Sequence, residues 1–293
     1  MSVNVFRAEM RRCLCLGLLF LSLASLVACV GRNNGLKGGE VEMEEGQEED
    51  LEEQEEDTLV YVLPETPIAE AVDESFIDFI YTFIHRKAFQ MERVKFPVDV
   101  RNDAGEVVET LKNGRSISAN MQLEGYDCFV MLLHEDQDSY EYLSNEVPMA
   151  SVKEVDLARG VQTSFEFEKL EDIWRFTGIK RGEITAHRAF LRFYNNFAND
   201  SLFLRDHLES EIFVSLPSSD DEMQTVDGNI DAGQWEAFAP ELLTGSILLL
   251  DMGPDADDSH SVKMVKCGVA SSMMETLMFK KEENDWKLIR YEE

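Results

Sequence analysis

Residues 76–89 read FIDFIYTFIHRKAF, and residues 190–203 read FLRFYNNFANDSLF. Phenylalanine occupies the same four places in both stretches, and the second stretch follows the first by 114 residues. The first three phenylalanines of each stretch are three and four residues apart, a spacing that puts them on one face of an amphipathic helix. The sequence therefore predicts two phenylalanine-lined helices, each of which needs an apolar surface to cover.

A second pair of aromatic residues ends each copy of this pattern. Phe167 precedes Trp174 by seven residues, and Phe279 precedes Trp286 by the same distance, 112 residues later. Because the displacement holds to within two residues, it indicates two copies of one structural unit rather than one large core. Between the anchors, both copies carry a lysine and a glutamate at matching places: Lys169 and Glu171, then Lys281 and Glu283.

The segments between the helix and the last anchor favour strands. Residues 165–168 alternate phenylalanine with glutamate, the period-two pattern of a strand with one wet face. Asn113-Gly114 and Asp227-Gly228 are turn signals that could close hairpins, and residues 73–75 provide an acidic first turn and cap for the first helix. The sequence predicts an α+β fold in which each helix covers the apolar face of an antiparallel sheet.

The first 30 residues carry the pattern of a secretory signal. Three arginines precede an uncharged apolar run, Cys13–Val30, that is too short and too rich in small residues for a membrane span. The run ends in Leu-Val-Ala-Cys at residues 26–29, which resembles the lipobox of bacterial lipoproteins. The resemblance implies a signal peptide over residues 1–28 and a lipid-modified Cys29. A plain secretory signal with an incidental cysteine is the alternative.

Residues 29–69 are predicted to form a disordered acidic tether. Between Glu40 and Asp57 the chain carries twelve carboxylates and no basic residue. Ordering each backbone residue costs about 1–2 kcal/mol, and this stretch has little apolar surface to offset that cost. We therefore expect a lipid-anchored protein of the bacterial outer membrane, whose first partner is the membrane itself. The tether resembles the surface-export signals of Bacteroidetes lipoproteins, and both the periplasmic and the surface-exposed face remain open.

The charge of the chain limits its other partners. The formal net charge is −31, which repels nucleic acid and anionic lipid surfaces. Nucleic acid is therefore excluded as a partner. A small ligand or an envelope protein of cationic or neutral character remains possible, and so does a role of the charge in solubility alone.

The order of elements resembles a known superfamily. A domain of about 110 residues that begins with a helix and ends in long strands, the last carrying Trp286-Lys-Leu, is similar to the NTF2-like superfamily. The doubled arrangement behind a lipobox resembles the Bacteroidetes lipoprotein family of unknown function catalogued as DUF4348. The resemblance implies two tandem cystatin-like cones, over residues 70–182 and 183–293, each with helices packed on a curved antiparallel sheet. It also implies that the two copies pair as an intrachain pseudo-dimer.

NTF2-like enzymes carry an aspartate, tyrosine or histidine inside the cone, where apolar walls tune its pKa. Here the candidate pocket residues are those that lie near the ends of the predicted elements. An exposed helix position or a charged strand end is the ordinary explanation for each of them. The candidates are His85, Tyr126, Asp127, His134 and Asp251.

Other chemistry finds little support in the sequence. It contains no glycine-rich phosphate loop, nucleophile elbow or metal-ligand spacing, so we predict neither a metal nor a cofactor. Cys128 and Cys267 are the cysteines of the predicted folded part, and the sequence permits either a disulfide between them or two free thiols.

The predicted function is non-catalytic binding of a ligand or protein by a membrane-anchored envelope lipoprotein. The alternative is an enzyme of the isomerase or hydrolase type, with an active site in one of the two cones. Side chains filling both cones would favour binding, whereas a deep pocket around a buried Asp, His or Tyr would favour the enzyme.

Overall fold

The computed structural model of this protein describes residues 71–218, 224–253, 260–268, 274–283 and 285–293. They belong to one compact unit, Pro67–Glu293. The predicted signal peptide, the predicted lipidation site Cys29 and the predicted acidic tether lie outside the described residues. We refer to residues 71–183 as the first half and to residues 184–293 as the second half.

Within the described residues, the first two helices and the six strands of each half follow one another in the same order. The first half consists of α1 (Phe76–His85), α2 (Lys87–Arg93), β1 (Val94–Arg101), β2 (Val107–Leu111), α3 (Gly114–Asn120), a 3-10 turn (Leu123–Gly125), β3 (Cys128–Leu133), α4 (Ser139–Ser144), β4 (Met149–Asp156), β5 (Val161–Leu170) and β6 (Ile173–Glu183). The second half consists of α5 (Arg188–Asn199), α6 (Ser201–Asp206), β7 (Leu208–Pro217), β8 (Thr225–Asp231), a 3-10 helix (Ala232–Ala237), β9 (Ser246–Asp251), β10 (Ser261–Gly268), β11 (Met274–Glu282) and β12 (Asp285–Glu292).

All twelve strands of the described residues form one continuous sheet, in the order β2-β1-β6-β5-β4-β9-β3-β10-β11-β12-β7-β8. Counted inward from either end of the sheet, five strands of one half come first, in the order second, first, sixth, fifth and fourth. The next, central position belongs to the third strand of the other half. There the halves exchange strands, because β9 pairs with β4 and β3 pairs with β10. Each half therefore completes the sheet of the other.

The pairing corrects the expectation of purely antiparallel sheets. The first strand of each half runs parallel to the last strand of the same half, and β3 runs parallel to β9 at the centre. The remaining pairs are antiparallel. The sequence pattern could not show this, because period-two alternation reveals which side chains share a face but not the direction of the neighbouring strand.

The central strands contribute to two cores, one on each face of the sheet. Phe129 and Met131 of β3 are buried in the core of the first half, whereas Val130 is buried in the core of the second half. Leu248 and Leu249 of β9 divide in the same way. The helices of the two halves therefore lie on opposite faces, which explains why the central strands are apolar without alternation.

The two phenylalanine helices cover the sheet as the repeat predicts. In α1, Phe79 and Phe83 are fully buried, and their rings lie 5.7 and 5.2 Å from the ring of Phe167. In α5, Phe197 lies 5.2 Å from the ring of Phe279. Burying a large aromatic side chain contributes roughly 1.5–3 kcal/mol, so these contacts are the main attachment of each helix to the sheet.

Two predicted turns are wrong. Asn113 does not close a hairpin but caps α3, with its side chain accepting a hydrogen bond from Ser116 N–H at 3.1 Å. Gly228 lies within β8, opposite Val214. The structural counterpart of Asn113 is Asp231, which begins a 3-10 helix through a capping box. Asn and Asp favour both turns and helix caps, so the dipeptide alone does not distinguish them.

The predicted cap of α1 is also corrected. Ser75 occupies the N-cap position, but its side chain makes no capping hydrogen bond. Asp73 instead accepts a hydrogen bond from Trp174 N–H and forms an ion pair with Arg93, both at 2.9 Å. This carboxylate therefore ties the start of the folded unit to β6 and to the end of α2.

Candidate functional site

Aromatic side chains fill the hollow between helices and sheet in both halves. Those of the first half are 3 % exposed or less, and many of their ring centroids lie 4.7–6.1 Å apart. They are Phe76, Phe79, Phe83, Phe89, Phe167, Trp174 and Phe176. A corresponding cluster is buried in the second half around Phe190, Phe193, Phe197, Phe279 and Trp286. The apolar space between helices and sheet is therefore a packed core in each half.

An open polar groove lies along the ends of several strands of the sheet and has a volume of about 570 Å³. Its floor is formed by the ends of β4 and β6 and the starts of β5 and β9. A groove of this size suits a small ligand. The charged and hydroxyl side chains that line this polar groove are Asp103, Glu154, Asp156, Arg159, Thr163, Arg181, Glu183 and Ser246.

Tyr126 is the sequence-predicted candidate that contacts a side chain of this groove, Glu154. Its hydroxyl donates a 2.8 Å hydrogen bond to Glu154 Oε1. Burial, together with the carboxylate of Glu154, raises the pKa of Tyr126 to about 12. The phenol therefore stays protonated at neutral pH and acts as a hydrogen-bond donor.

Arg181 forms the cationic side of the groove. Its guanidinium donates a 2.5 Å hydrogen bond to Asn120 Oδ1 at the end of α3, and lies 3.9 Å from Glu109 of β2. Two neighbouring elements thus orient the guanidinium while 42 % of the side chain stays exposed. An oriented, accessible guanidinium can bind a carboxylate or another acceptor of a ligand.

The rim of the groove depends on a close approach at Gly182. Asp103, in the β1–β2 turn, accepts a 2.9 Å hydrogen bond from Glu183 N–H through Oδ2. A Cβ at position 182 would lie 1.9 Å from Oδ1 of Asp103. Glycine therefore leaves room for the Asp103 carboxylate beside the end of β6.

The second half differs at the matching positions. Glu154 pairs with Thr163 across β4 and β5, and the corresponding pair across β10 and β11 is Lys266 and Glu275. These two form a 3.0 Å ion pair whose side chains are only 30 % and 24 % exposed. Lys266 and Glu275 therefore neutralise each other in the second half, whereas Glu154 and Arg181 face the groove of the first half.

Asp251 lies on the other face of the sheet from Glu154. It forms a 2.5 Å ion pair with Lys153 beside a small cavity of about 30 Å³, which is also lined by Gln137 and Tyr142. That volume is about enough for one or two water molecules. That cavity is too small for a ligand of ordinary size, but Asp251 also lines a separate open groove of about 600 Å³ beside Met149 and Met252.

The other candidates lie apart from the groove. His85 is exposed on α1, with Nδ1 2.8 Å from the carbonyl of Tyr81. Asp127 is exposed, and His134 is half-buried with Nδ1 3.5 Å from Asp136. The structure does not bring these three side chains together with Tyr126.

The sequence analysis missed the partners of Tyr126 in the groove. Glu154 and Arg181 lie near the ends of amphipathic strands, where charged residues are ordinary, and Asn120 ends a helix that was not predicted. A comparison of the two copies could have pointed to Glu154. Aligning the copies places Glu154 against Lys266 and Thr163 against Glu275, a change of charge at positions of equal structure.

The two cysteines are free thiols. Cys128 lies opposite Gly268, and Cys267 lies opposite Phe129, so the two side chains point to opposite faces of the sheet. A disulfide needs Cβ atoms that face each other, which this register prevents. Burial raises the pKa of both thiols.

Two further properties concern possible ligands and the membrane. Among the described residues, no group of three His, Cys, Asp or Glu side chains is placed to hold a metal ion. Within the same residues, none of the helices combines the length and the apolar character needed to cross a membrane.

Comparison with known proteins shows the fold and the family. The chain is similar to the crystal structure of an NTF2-like protein from Bacteroides fragilis, with a TM-score of 0.66 and 22% identity over 78% of this chain and 98% of that one. At this identity the likeness shows the mixed α+β fold alone. No curated protein matches the sequence. The family described as "Domain of unknown function (DUF4348)" matches residues 55–293. Because this match spans most of the chain, the protein belongs to that family.

Proposed function

We propose that this protein is a lipid-anchored, non-catalytic binding protein of the bacterial cell envelope, and that the polar groove of the first half is its ligand site. The observation that carries the proposal is the packing of aromatic side chains through the hollow of both cones. A packed cone offers no central cavity to a substrate. The groove at its end, by contrast, presents oriented polar groups to the solvent.

The groove indicates a small polar ligand. Arg181 and Arg159 provide donors, while Asp103, Glu154, Asp156 and Glu183 provide acceptors, and Thr163 can do both. A ligand with a single negative charge would meet four carboxylates and two guanidinium groups here. A neutral ligand with several hydroxyl or amide groups, or one with both charges, matches the groove better.

The anchor is proposed from the sequence pattern around Cys29. Multiple acyl chains hold a protein on a membrane durably, since each buried methylene contributes about 0.8 kcal/mol. We expect wild-type protein in the outer-membrane fraction of its native host and Cys29→Ser in the soluble fraction. Wild-type protein that fractionates as soluble would refute the anchor.

We further infer that the halves act as an intrachain pseudo-dimer in which the second half supports the first. The exchange of β3 and β9 supports this, because the first half obtains a floor strand of its groove from β9. In the second half, Lys266 and Glu275 pair with each other at the positions where the first half has the groove residues Glu154 and Thr163.

Binding is tested with a small-molecule extract of native envelopes and native mass spectrometry. The groove variant combines Glu154→Gln with Arg181→Met, which preserve side-chain size and remove charge. The matched control combines Glu275→Gln with Lys266→Met in the second half. We expect a bound species on wild-type and control protein that falls at least tenfold on the groove variant. Equal retention by the groove variant would overturn the proposal.

An enzyme remains the second candidate, because Tyr126 and Glu154 place a protonated donor beside a carboxylate at the mouth of the cone. Such a pair could supply an acid and a base. A screen with isomerase and hydrolase substrates tests this. Turnover that is lost in Tyr126→Phe, but kept in Asp127→Asn and His134→Ala, would favour the enzyme over the binding protein.

A further inference from the structure

A second open groove lies at the other end of the strands that form the polar groove. It has a volume of about 600 Å³ and is found where β4 begins and where β5 and β9 end. The polar groove lies where β4 ends and β5 begins, and the two grooves share no lining residue. We call the second one the acidic groove and define it by Val147, Pro148, Met149, Glu166, Glu168 and Asp251.

The strand register places the carboxylates of the acidic groove on one face of the sheet. Ser151 of β4 lies opposite Glu166 of β5 and also opposite Asp251 of β9, and Met149 lies opposite Glu168. Side chains that pair across strands project to the same face. Glu166 and Asp251 are two strand spacings apart, about 10 Å. The acidic groove therefore presents carboxylates on both sides of β4.

Two of these three carboxylates make no ion pair. Among the described residues, Glu166 and Glu168 have no basic partner within ion-pair distance, and this includes Arg175, which lies opposite Glu168 on β6. Asp251 differs, because Lys153 pairs with it. Of the described residues that line the groove, none is basic. The negative net charge of the chain strengthens the same field, so the groove attracts a cation and repels an anion.

The start of β4 adds an apolar side to the groove. Val147, Pro148 and Met149 line it there, and the side chain of Met149 is 63% exposed. Methionine is flexible and polarisable, which suits contact with a ligand of irregular shape. A metal ion has no apolar surface to place against these residues, and no group of three metal ligands exists in the described part of the chain. An aliphatic ammonium matches both sides, because its methylene stem covers apolar surface while its charged end faces the carboxylates.

The second half shows that the fold does not require these acidic residues. At the displacement of 112 that relates the aromatic anchors, Glu166 corresponds to Met278 and Glu168 corresponds to Lys280. Both positions lie in β11, the strand equivalent to β5. The same strand thus forms in the second half without either carboxylate. The acidic character of the groove is therefore a property of the first half alone.

We propose that the acidic groove binds a linear aliphatic polyamine. The ammonium groups face Glu166 and Glu168 on one side of β4 and Asp251 on the other, and the methylene segments between them pack on Pro148 and Met149. A chain with several ammonium groups spans the distance between the carboxylates, which a single compact cation does not. The inference is independent of the ligand proposed for the polar groove, because the two grooves have separate linings.

The test uses the full chain with ¹³C-labelled methionine methyl groups and spermidine as the probe. The signal of Met149 is assigned by its absence in Met149→Leu, and it reports on the groove rather than on acidic residues elsewhere. The groove variant combines Glu166→Gln with Glu168→Gln. The matched control combines Glu124→Gln with Glu135→Gln, two exposed carboxylates outside the groove. Both variants remove two charges, so they weaken the general attraction of the protein for cations equally.

We expect spermidine to shift the Met149 signal of wild-type and control protein to saturation, with an affinity at least tenfold weaker in the groove variant. Three results would overturn the proposal: a Met149 signal that does not move, equal affinity of groove variant and control, or a shift that Mg²⁺ reproduces at the same concentration. If the groove variant does not fold, calorimetry of Met149→Ser gives the decision. Spermidine affinity that falls several-fold while Mg²⁺ affinity is unchanged supports the proposal, and unchanged spermidine affinity refutes it.

Discussion

At the scale of single residues, the matching lysines and glutamates of the two copies have separate roles. Lys169 and Lys281 lie over the rings of Trp174 and Trp286, with their ammonium groups 5.9 and 5.5 Å from the centroids. The glutamates adopt left-handed backbone conformations in the following turns. The repeat therefore preserves a cation–π contact worth about 0.5–1 kcal/mol, together with a position that bears backbone strain.

The β5–β6 turn predicts a stabilising substitution. Glu171 and Asp172 have φ values of 51° and 62°, the conformation of a two-residue hairpin turn that favours Asn-Gly. We expect Glu171→Asn with Asp172→Gly to raise the free energy of unfolding by about 1 kcal/mol, because the backbone of the folded turn then carries less strain. Urea denaturation measures the change. Glu168→Asn, on the preceding strand, is the control and should not stabilise; an unchanged midpoint for the turn variant would contradict the argument.

The two buried thiols predict a pH-dependent reactivity. Burial raises the pKa of the half-buried Cys128 and of the buried Cys267, so little thiolate is present at neutral pH. We expect alkylation by iodoacetamide to be at least tenfold slower in folded than in unfolded protein at pH 8, and to accelerate with pH. Mass spectrometry of Cys128→Ser and Cys267→Ser assigns the sites. Rapid labelling at neutral pH would show that the strands open.

At the scale of elements, helix ends are set by single polar side chains. Asn113 forms a reciprocal capping box with Ser116 at the start of α3. Asp231 does the same with Gln234 in the second half. These caps begin α3 and the 3-10 helix of the second half. Asn120, at the end of α3, accepts the hydrogen bond that orients Arg181.

Removal of the α3 cap should destabilise the protein and disturb the groove. We expect Asn113→Ala to cost about 1 kcal/mol of unfolding free energy, since the N–H of Ser116 loses its partner. Asn145→Ala, at the exposed end of α4, is the matched control and should cost much less. Guanidinium denaturation gives both values. Equal effects of the two substitutions would contradict a specific role for the cap.

Some elements of the fold could be predicted from the sequence, and others could not. The periodicity of Phe76 to Phe83 correctly predicts an amphipathic helix, because burial on one face determines that pattern. The pairing of β3 with β10 could not be predicted, since a strand buried on both faces carries no mark of its neighbours. Tyr126 was a candidate because it precedes an apolar run. Arg181 lines the same groove as Glu154, the partner of Tyr126, from a strand more than 50 residues further along the chain, which only the fold reveals.

At the scale of the whole molecule, exchange of the central strands makes the halves interdependent. The pairing of β4 with β9 covers six residue pairs, Ser151 to Asp156, and β3 pairs with β10 over another six. Each half also places apolar side chains in the core of the other, as Val130 and Leu248 show. Without its partner, either half would expose a long unpaired edge and part of an apolar face.

This interdependence predicts the behaviour of separated halves. Fragments 70–186 and 187–293, cut in the connection between β6 and α5, should each be aggregated or poorly ordered alone, because neither can complete its own sheet. When co-expressed, they should form a 1:1 complex with the circular dichroism spectrum of the intact chain. Size-exclusion chromatography with light scattering measures the assembly. A full chain with a protease site inserted after Thr185 is the control, and it should stay folded after cleavage. Two fragments that are separately monomeric and cooperatively folded would mean that each third strand can pair within its own half, and the exchange would then not be required for folding.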